Sequence, residues 1–217
     1  MSKSLEKLRL IMLGAGGHAR VLHSLLAAGG HQLAGVCDPG LEAQGILSWN
    51  GVPVLGADDA LLKFSTAEVG VINGLGQLVG AHQRRALFNQ FASLGYIFPP
   101  VVHPAAWVAP GVVMEPGVQV MAGAIIQPNC TIGANTIVNT RAGIDHDCRI
   151  GSHVHIAPGA TLCGGVTVAD DAFVGAGATV VPGMTIGSGA VIGAGTTLIK
   201  HAGDGSRVLG APVRFHP

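Results

Sequence analysis

The sequence predicts an α/β domain on a parallel sheet over residues 1–98, followed by a triangular parallel β-helix over residues 99–217. Three observations carry this. An aliphatic residue recurs at every sixth position of the second half. Strand and helix patterns alternate around a glycine-rich turn in the first half. Glycine, at 34 of 217 residues, is about twice its usual share, while Phe, Trp and Tyr together make up 4%.

The first half reads in order as a strand (Leu8 to Leu13), a glycine turn, a helix from about Ala19 to Ala28, and a strand (Gln32 to Asp38). A short strand (Val52 to Leu55), a strand (Val69 to Asn73), a helix from about Gly80 to Leu94 and a strand (Tyr96 to Phe98) follow. Pro99-Pro100 and His103-Pro104 mark the boundary region.

Gly14-Ala15-Gly16-Gly17-His18-Ala19 follows the first strand and opens the first helix, matching G-x-G-x-x-A, and Asp38 ends the next strand about twenty residues on. In a Rossmann unit such glycines let backbone amides approach a diphosphate at the helix N-terminus, while the acid hydrogen-bonds a ribose. The motif leaves open NAD, a nucleotide-sugar, or a ligand-free tight turn. Gly74 and Gly76 follow the strand ending at Asn73 and approach the same crevice, or serve only as turn glycines.

In the second half the series runs Val108, Met114, Val120, Ile126 and onward without a miss to Ile192 and Leu198. Two residues before many of these sits a small residue such as Ala124, Cys130, Ala142 or Cys148, so alternate residues point inward as in a strand. Two and three residues after come turn pairs such as Pro110-Gly111, Pro158-Gly159, Ala176-Gly177 and Ala194-Gly195. Each hexad is a short strand plus a corner, and three hexads close one triangular coil. A Gly-rich β-sandwich does not hold a six-residue phase over such a length.

At one corner the turn pair is replaced by His146-Asp147, and one coil later the same column holds Gly164-Gly165. A turn does not need an imidazole. The glycines imply a pocket over His146, and the His-Asp pair suits a general base, since the carboxylate orients the ring and raises its basicity. The plain alternative is a surface turn histidine. His155 and His153 are expected to face outward into solvent. Asn139 is either a site residue or a corner residue bonded to its own backbone, and Arg141 occupies a corner with no evident partner.

Charged residues are 11% of the chain, with 12 basic and 12 acidic side chains, and mean hydropathy is +0.49. This excludes a disordered charged tail, and the absence of a Lys/Arg stripe argues against nucleic acid as a partner. Every apolar run is interrupted well short of the ~18 residues of a membrane span. The polar start, Met1 to Arg9, with Leu10 to Leu13 leading straight into glycines, does not read as a secretion signal, so a cytoplasmic location is expected. Cys37, Cys130, Cys148 and Cys163 lack metal spacing and read as packing thiols.

The stretch Asn139-Thr140-Arg141-Ala142-Gly143-Ile144-Asp145-His146-Asp147-Cys148-Arg149-Ile150-Gly151, continuing through His155-Ile156-Ala157-Pro158-Gly159, resembles the signature of bacterial sugar acyltransferases related to sialic acid O-acetyltransferase. It is most similar to the nucleotide-linked aminosugar N-acetyltransferases of the bacillosamine and perosamine type. Leu13-Gly14-Ala15-Gly16-Gly17-His18 and Gly210-Ala211-Pro212 carry the same resemblance, which spans nearly the whole chain.

The resemblance implies a Rossmann-like domain on a left-handed β-helix (hexapeptide repeat) and a homotrimer with active sites in clefts between subunits. It implies His146 as the base that deprotonates the acceptor and Asp147 as the acid that raises its basicity. His155 would contact the acetyl-CoA thioester from across the cleft, with Gly164, Ala176 and Ala194 along the acyl donor. Gly14, Gly16, Gly17, His18 and Asp38 would hold the nucleotide of the sugar, with Gly76 and Asn139 also on the substrate side. Arg141 and the segment Asn73 to Gln77 depart from the family pattern, and both can touch the sugar nucleotide.

The function expected is an acetyl-CoA-dependent N-acetyltransferase acting on a nucleotide-diphospho-aminosugar for surface polysaccharide or glycan synthesis, with no metal. Cys148 points into the prism, which argues against a covalent acyl-enzyme. The alternatives are an O-acetyltransferase on a sialic acid type sugar, a metal-dependent carbonic anhydrase using His146, His153 and His155, and a non-catalytic nucleotide-sugar-binding trimer.

Overall fold

The computed structural model describes residues 8–210, so Met1 to Lys7 at the polar start and Ala211-Pro212 of the C-terminal resemblance lie outside the described residues. The chain forms two compact units, Met1–Pro104 and Ala105–Pro217.

In the first unit, β1 (Arg9–Leu13), α1 (Gly17–Ala28), β2 (Leu33–Cys37), α2 (Pro39–Ala43), β3 (Ser48–Trp49), β4 (Val52–Gly56), β5 (Val69–Asn73) and α3 (Gln83–Ser93) follow in order. The sheet order is β3-β4-β2-β1-β5, parallel except for the β3-β4 hairpin. β1 and β5 are near-continuous buried runs, RLIML and VGVIN, as strands covered on both faces require. The chain leaves β1 toward β2 on one side and returns as β5 on the other. The carboxyl ends of β1 and β5 therefore flank a topological switch point, where doubly wound sheets open a crevice.

Three local expectations are corrected. Residues Tyr96 to Phe98 make one bridge, Ile97 to Gly70, and no strand; Pro99-Pro100 directly after them have no N–H to extend a ladder. α1 begins two residues earlier than expected, and α3 later, because Gly80 at φ +77° cannot belong to a right-handed helix. α2, β3 and the 3₁₀ segment Asp58–Lys63 carry no periodic signal because each is six residues or shorter.

The second unit is the triangular prism that the six-residue period predicts. Trp107–Val108, Ile125–Ile126, Gly143–Ile144, Thr161–Leu162, Thr179–Val180 and Thr197–Leu198 stack as its first face. The second face runs from Val113–Met114 through Thr131–Ile132, Arg149–Ile150 and Thr167–Val168 to Thr185–Ile186. The third contains Gln119–Val120, Ile137–Val138, His155–Ile156, Phe173–Val174, Val191–Ile192 and Arg207–Val208. All pairings are parallel, with partners one coil apart, as Ile126 to Ile144 to Leu162.

From Val120 to Leu198 every repeat aliphatic is buried, whereas Val108 and Met114 in the first coil are half-buried. Each fully buried aliphatic side chain contributes about 1.5–3 kcal/mol of transfer free energy. From Val108 to Ile192 the third residue after each aliphatic turns the corner in the left-handed region, which is why glycine is so frequent. Asn129, Asn135, Arg141, Asp147, His153 and Asp171 adopt it without being glycine, at φ of 56° to 62°. The regular period ends at Leu198: Ile186 bridges Ala202 and Ile192 pairs with Val208, so the last coil is shorter than those before it.

Candidate active site

His146 stands at the corner between the first and second faces, with 61% of its side chain exposed, and its ring Nδ1 lies 2.7 Å from Asp147 Oδ2. The carboxylate only accepts, so Nδ1 carries the proton and Nε2 is left as the basic nitrogen. Asp147 reaches the ring because its backbone turns the corner at φ 61°. Its second oxygen, Oδ1, accepts from Asn129 Nδ2 at 3.2 Å, one coil below. Asp145 holds the main chain, accepting from the His146 N–H at 2.8 Å. The hydrogen bond to Asp147 and the charge of Asp145 raise the His146 pKa above that of a free imidazole. The bonds from His146 and Asn129 lower that of Asp147.

The expected pocket above His146 is corrected. A methyl group built on Gly164 would lie 2.6 Å from His146 Cε1 and 2.7 Å from Nε2, so the ring itself fills the space that the glycine leaves. The concavity lies beside it, on the first face: a groove of about 190 Å³ lined by Ile125, Gln127, Gly143, Asp145 and Thr161. Its floor is low because Gly143 interrupts a ladder of larger outward residues, Trp107, Ile125, Thr161 and Thr179.

His155 and His153 are also corrected, since both are buried rather than solvated. His155 does face outward on the third face, but its ring meets Phe173 edge-on at 4.9 Å, and its Nε2 lies 3.1 Å from Asn139 Nδ2. Asn139 is a corner residue bonded to the local backbone, and it also contacts His155. Its Oδ1 accepts from the Thr140 N–H at 2.7 Å, which turns its amide nitrogen toward His155. His153 Nδ1 meets Asn135 Nδ2 at 3.0 Å at the corner between the second and third faces. Arg141 turns the corner that Gly123, Gly159, Gly177 and Gly195 turn in other coils, and its Cγ lies over Gly123.

Ala176 and Ala194 stack as exposed residues at the corner between the third and first faces, one coil apart. The prism therefore unites His146, Asp147 and Gly164 at one edge and Asn139, Ala176 and Ala194 at another, with His155 on the strand leading to the second edge. It does not bring the two groups together within one chain. Cys148, one residue from Asp147, is fully buried with Sγ 3.3 Å from the Cys163 carbonyl, and burial pushes its thiol pKa up to about 12.

In the first unit the glycine turn lies at the switch point. Gly14 takes φ 91°, Gly16 caps α1 without a side-chain bond, and a methyl group on Gly16 or Gly17 would meet open space. Gly16 and Gly17 are exposed, and the first turn of α1 has no acidic residue to offset the partial positive charge of its N-terminal amides. Asp38 builds this site: Oδ2 accepts from the Ala15 N–H and Oδ1 from the Leu41 N–H, each at 2.9 Å. The exposed Gly76 faces His18, whose Cβ would lie 3.4 Å from a methyl group built there. Sequence reasoning passed over Asn129, although a step of one coil back from Asp147 finds it. It also passed over Arg84, whose one local signal is its place on the helix face of Leu87, Phe88 and Phe91.

Residues 9–91 match the family described as the PglD N-terminal domain. Residues 129–164 and 165–200 match the bacterial transferase hexapeptide (six repeats). No curated protein matches the chain. A variant of perosamine N-acetyltransferase from Caulobacter crescentus, solved with CoA and GDP-perosamine, is 34% identical, with 96% of each chain covered and a TM-score of 0.84. The acetyltransferase domain of PglB from Neisseria gonorrhoeae FA1090, solved with acetyl coenzyme A, is 33% identical over 95% of this chain and 98% of that one, with a TM-score of 0.85. WeeI from Acinetobacter baumannii AYE shares the fold at 24% identity, covering 95% and 99% of the two chains with a TM-score of 0.83. The prism is thus the left-handed hexapeptide β-helix, preceded by a Rossmann-like domain. The chain belongs to the bacterial sugar acyltransferases, among the nucleotide-linked aminosugar N-acetyltransferases.

Proposed function

We propose that the protein transfers the acetyl group of acetyl-CoA to the amine of a nucleotide-diphospho-aminosugar, with His146 as general base. The observation that carries this is the His146–Asp147 pair, which leaves Nε2 as the basic nitrogen of a largely exposed ring next to Asp145 of the first-face groove. The perosamine N-acetyltransferase solved with CoA and GDP-perosamine supports the substrate class.

The neutral amine attacks the thioester carbonyl carbon, forming the C–N bond and a tetrahedral oxyanion. His146 Nε2 accepts the proton that the nitrogen sheds, and Asp147 stabilises the imidazolium. Collapse breaks the C–S bond, and the imidazolium returns the proton to the departing sulfur. The Gly164 amide or His155 stabilises the oxyanion. Attack is direct, because the buried thiol of Cys148 holds its proton and proximity in the site supplies much of the rate.

The glycine turn of the first unit, with Gly14, Gly16, Gly17, His18, Asp38 and Gly76, holds the nucleotide of the sugar in this reading. Asn139, His155, Ala176 and Ala194 serve the acyl donor or acceptor from a neighbouring copy. The two edges of one prism cannot meet, so the proposal includes a homotrimer with sites between subunits. It also includes a cytoplasmic setting for polysaccharide or glycan synthesis.

The experiment is an acetylation panel with acetyl-CoA, read by mass spectrometry. One UDP-, GDP- or dTDP-linked aminosugar should gain a single N-acetyl group. Acetylation of free sialic acid alone, with every aminosugar untouched, would overturn the reading.

A further inference from the structure

α3 places a buried guanidinium behind the crevice of the first unit. Arg84 is 2% exposed, and burial lowers its pKa to about 9, so it stays protonated at neutral pH. Its Nη1 donates to the main-chain carbonyls of Asn73 at 3.0 Å and Leu75 at 2.6 Å. Asn73 answers from the end of β5: Nδ2 donates to the Arg84 carbonyl at 3.0 Å, and Oδ1 accepts from the Leu75 N–H at 3.3 Å.

These bonds fix the loop of residues 73–76 against the glycine turn. The Gly74 N–H donates to the Leu13 carbonyl at 2.7 Å, and a methyl group on Gly74 would come within 2.7 Å of the Leu13 and Gly14 carbonyl oxygens. A methyl group on Gly14 would meet Leu75 Cδ2 at 2.8 Å. The two segments therefore form two lips of the switch-point crevice, and only one of them is built by the glycine motif. A buried cation is a costly device for shaping a loop if packing alone were needed, since an apolar side chain of similar volume often serves stability as well.

We propose that Arg84 is a positioning residue for nucleoside-diphosphate binding. Its guanidinium fixes the 73–76 loop so that Gly76 stands against His18 in the first turn of α1, and this loop and the exposed Gly16 and Gly17 border one diphosphate site. The inference rests on the reading that this crevice holds the nucleotide.

Calorimetric titration of the full chain and of R84M and R84K with UDP, GDP and dTDP, and separately with CoA, tests it. At least one diphosphate binds the wild-type protein, R84M weakens that binding by about tenfold or more, and R84K recovers part of the loss. CoA affinity stays within about twofold of wild type throughout. Nucleotide affinity in R84M equal to wild type would overturn the inference. Should R84M fail to fold, R84K decides: an ammonium lacks the planar fork, so a loss of about threefold or more with CoA binding intact supports the inference. Unchanged nucleotide binding overturns it. If the wild-type protein binds none of the three diphosphates, the nucleotide reading itself falls, and that result is distinct from both others.

Discussion

The His146 imidazole lies directly over the α-carbon of Gly164, with Cε1 2.6 Å from where a methyl group would stand. Gly164 does not have a left-handed φ, so alanine fits its backbone there and acts only through the ring. We expect G164A to push the imidazole off its position and reduce kcat by about tenfold or more, since small misplacements of catalytic groups are that costly. The melting temperature should stay close to wild type. Wild-type kcat in a folded G164A protein would show that the ring does not need this seat.

Replacing His146 itself tests the base assignment. H146A should lower kcat by about 10²-fold or more, the usual contribution of general acid–base catalysis. The affinity for CoA, read by titration, should be unchanged. A variant with near-normal turnover would refute the assignment.

The pH profile follows from the charges around the ring. Asp147, through its hydrogen bond, and Asp145, through its charge, raise the His146 pKa, while Arg149 also acts on Asp147. A base works when unprotonated, so kcat/KM should rise with pH through a limb lying above the 6.5 of an unperturbed imidazole. D147N removes the negative charge and replaces the charge-assisted bond by a neutral one, so the limb should move to lower pH while the maximum rate falls. A limb that stays in place in D147N would separate the observed titration from His146.

Thiol chemistry gives an independent check on direct attack. Cys37, Cys130 and Cys148 are buried, and burial raises the thiol pKa of each. The native protein treated with iodoacetamide at neutral pH should retain its acetylation rate, because the thiolate is the reactive form. Inactivation tracking alkylation of Cys148 would instead indicate a covalent acyl-enzyme.

Much of this site is legible in the sequence because the prism turns sequence separation into spatial adjacency. One coil is a fixed step, so Gly164 over His146 and Asn129 beneath Asp147 are found by counting. The period also assigns each residue a direction, which is correct for Cys148 inward and His155 outward. It does not say what covers an outward residue, and so the burial of His155 against Phe173 and Asn139 was not foreseen. Arg84 is harder to read. It sits beside Arg85 in the helix QRRALFNQFAS, and the helical period puts Arg84, not Arg85, on the face of Leu87, Phe88 and Phe91, but does not say what a cation buried there would bind. Its partners are carbonyls of a loop about ten residues away, reached only after the sheet has formed.

Asn129 provides the sharpest separation of catalytic from structural effects. It turns its corner at φ 62° and donates from Nδ2 to Asp147 Oδ1 at 3.2 Å, which holds the carboxylate so that Oδ2 faces His146. Glycine takes that backbone without strain, whereas alanine does not, the left-handed region costing roughly 1–2 kcal/mol for a residue with a β-carbon. N129G should therefore fold with a melting temperature near wild type, and N129A should melt lower. Both lose the donor, so both should lose kcat by a similar factor, roughly threefold to tenfold for one hydrogen bond of about 1 kcal/mol. The matching loss in two variants of different stability ties the effect to Asp147. If kcat follows the melting temperature instead, with N129G fully active, the bond to Asp147 has no part in orienting the base.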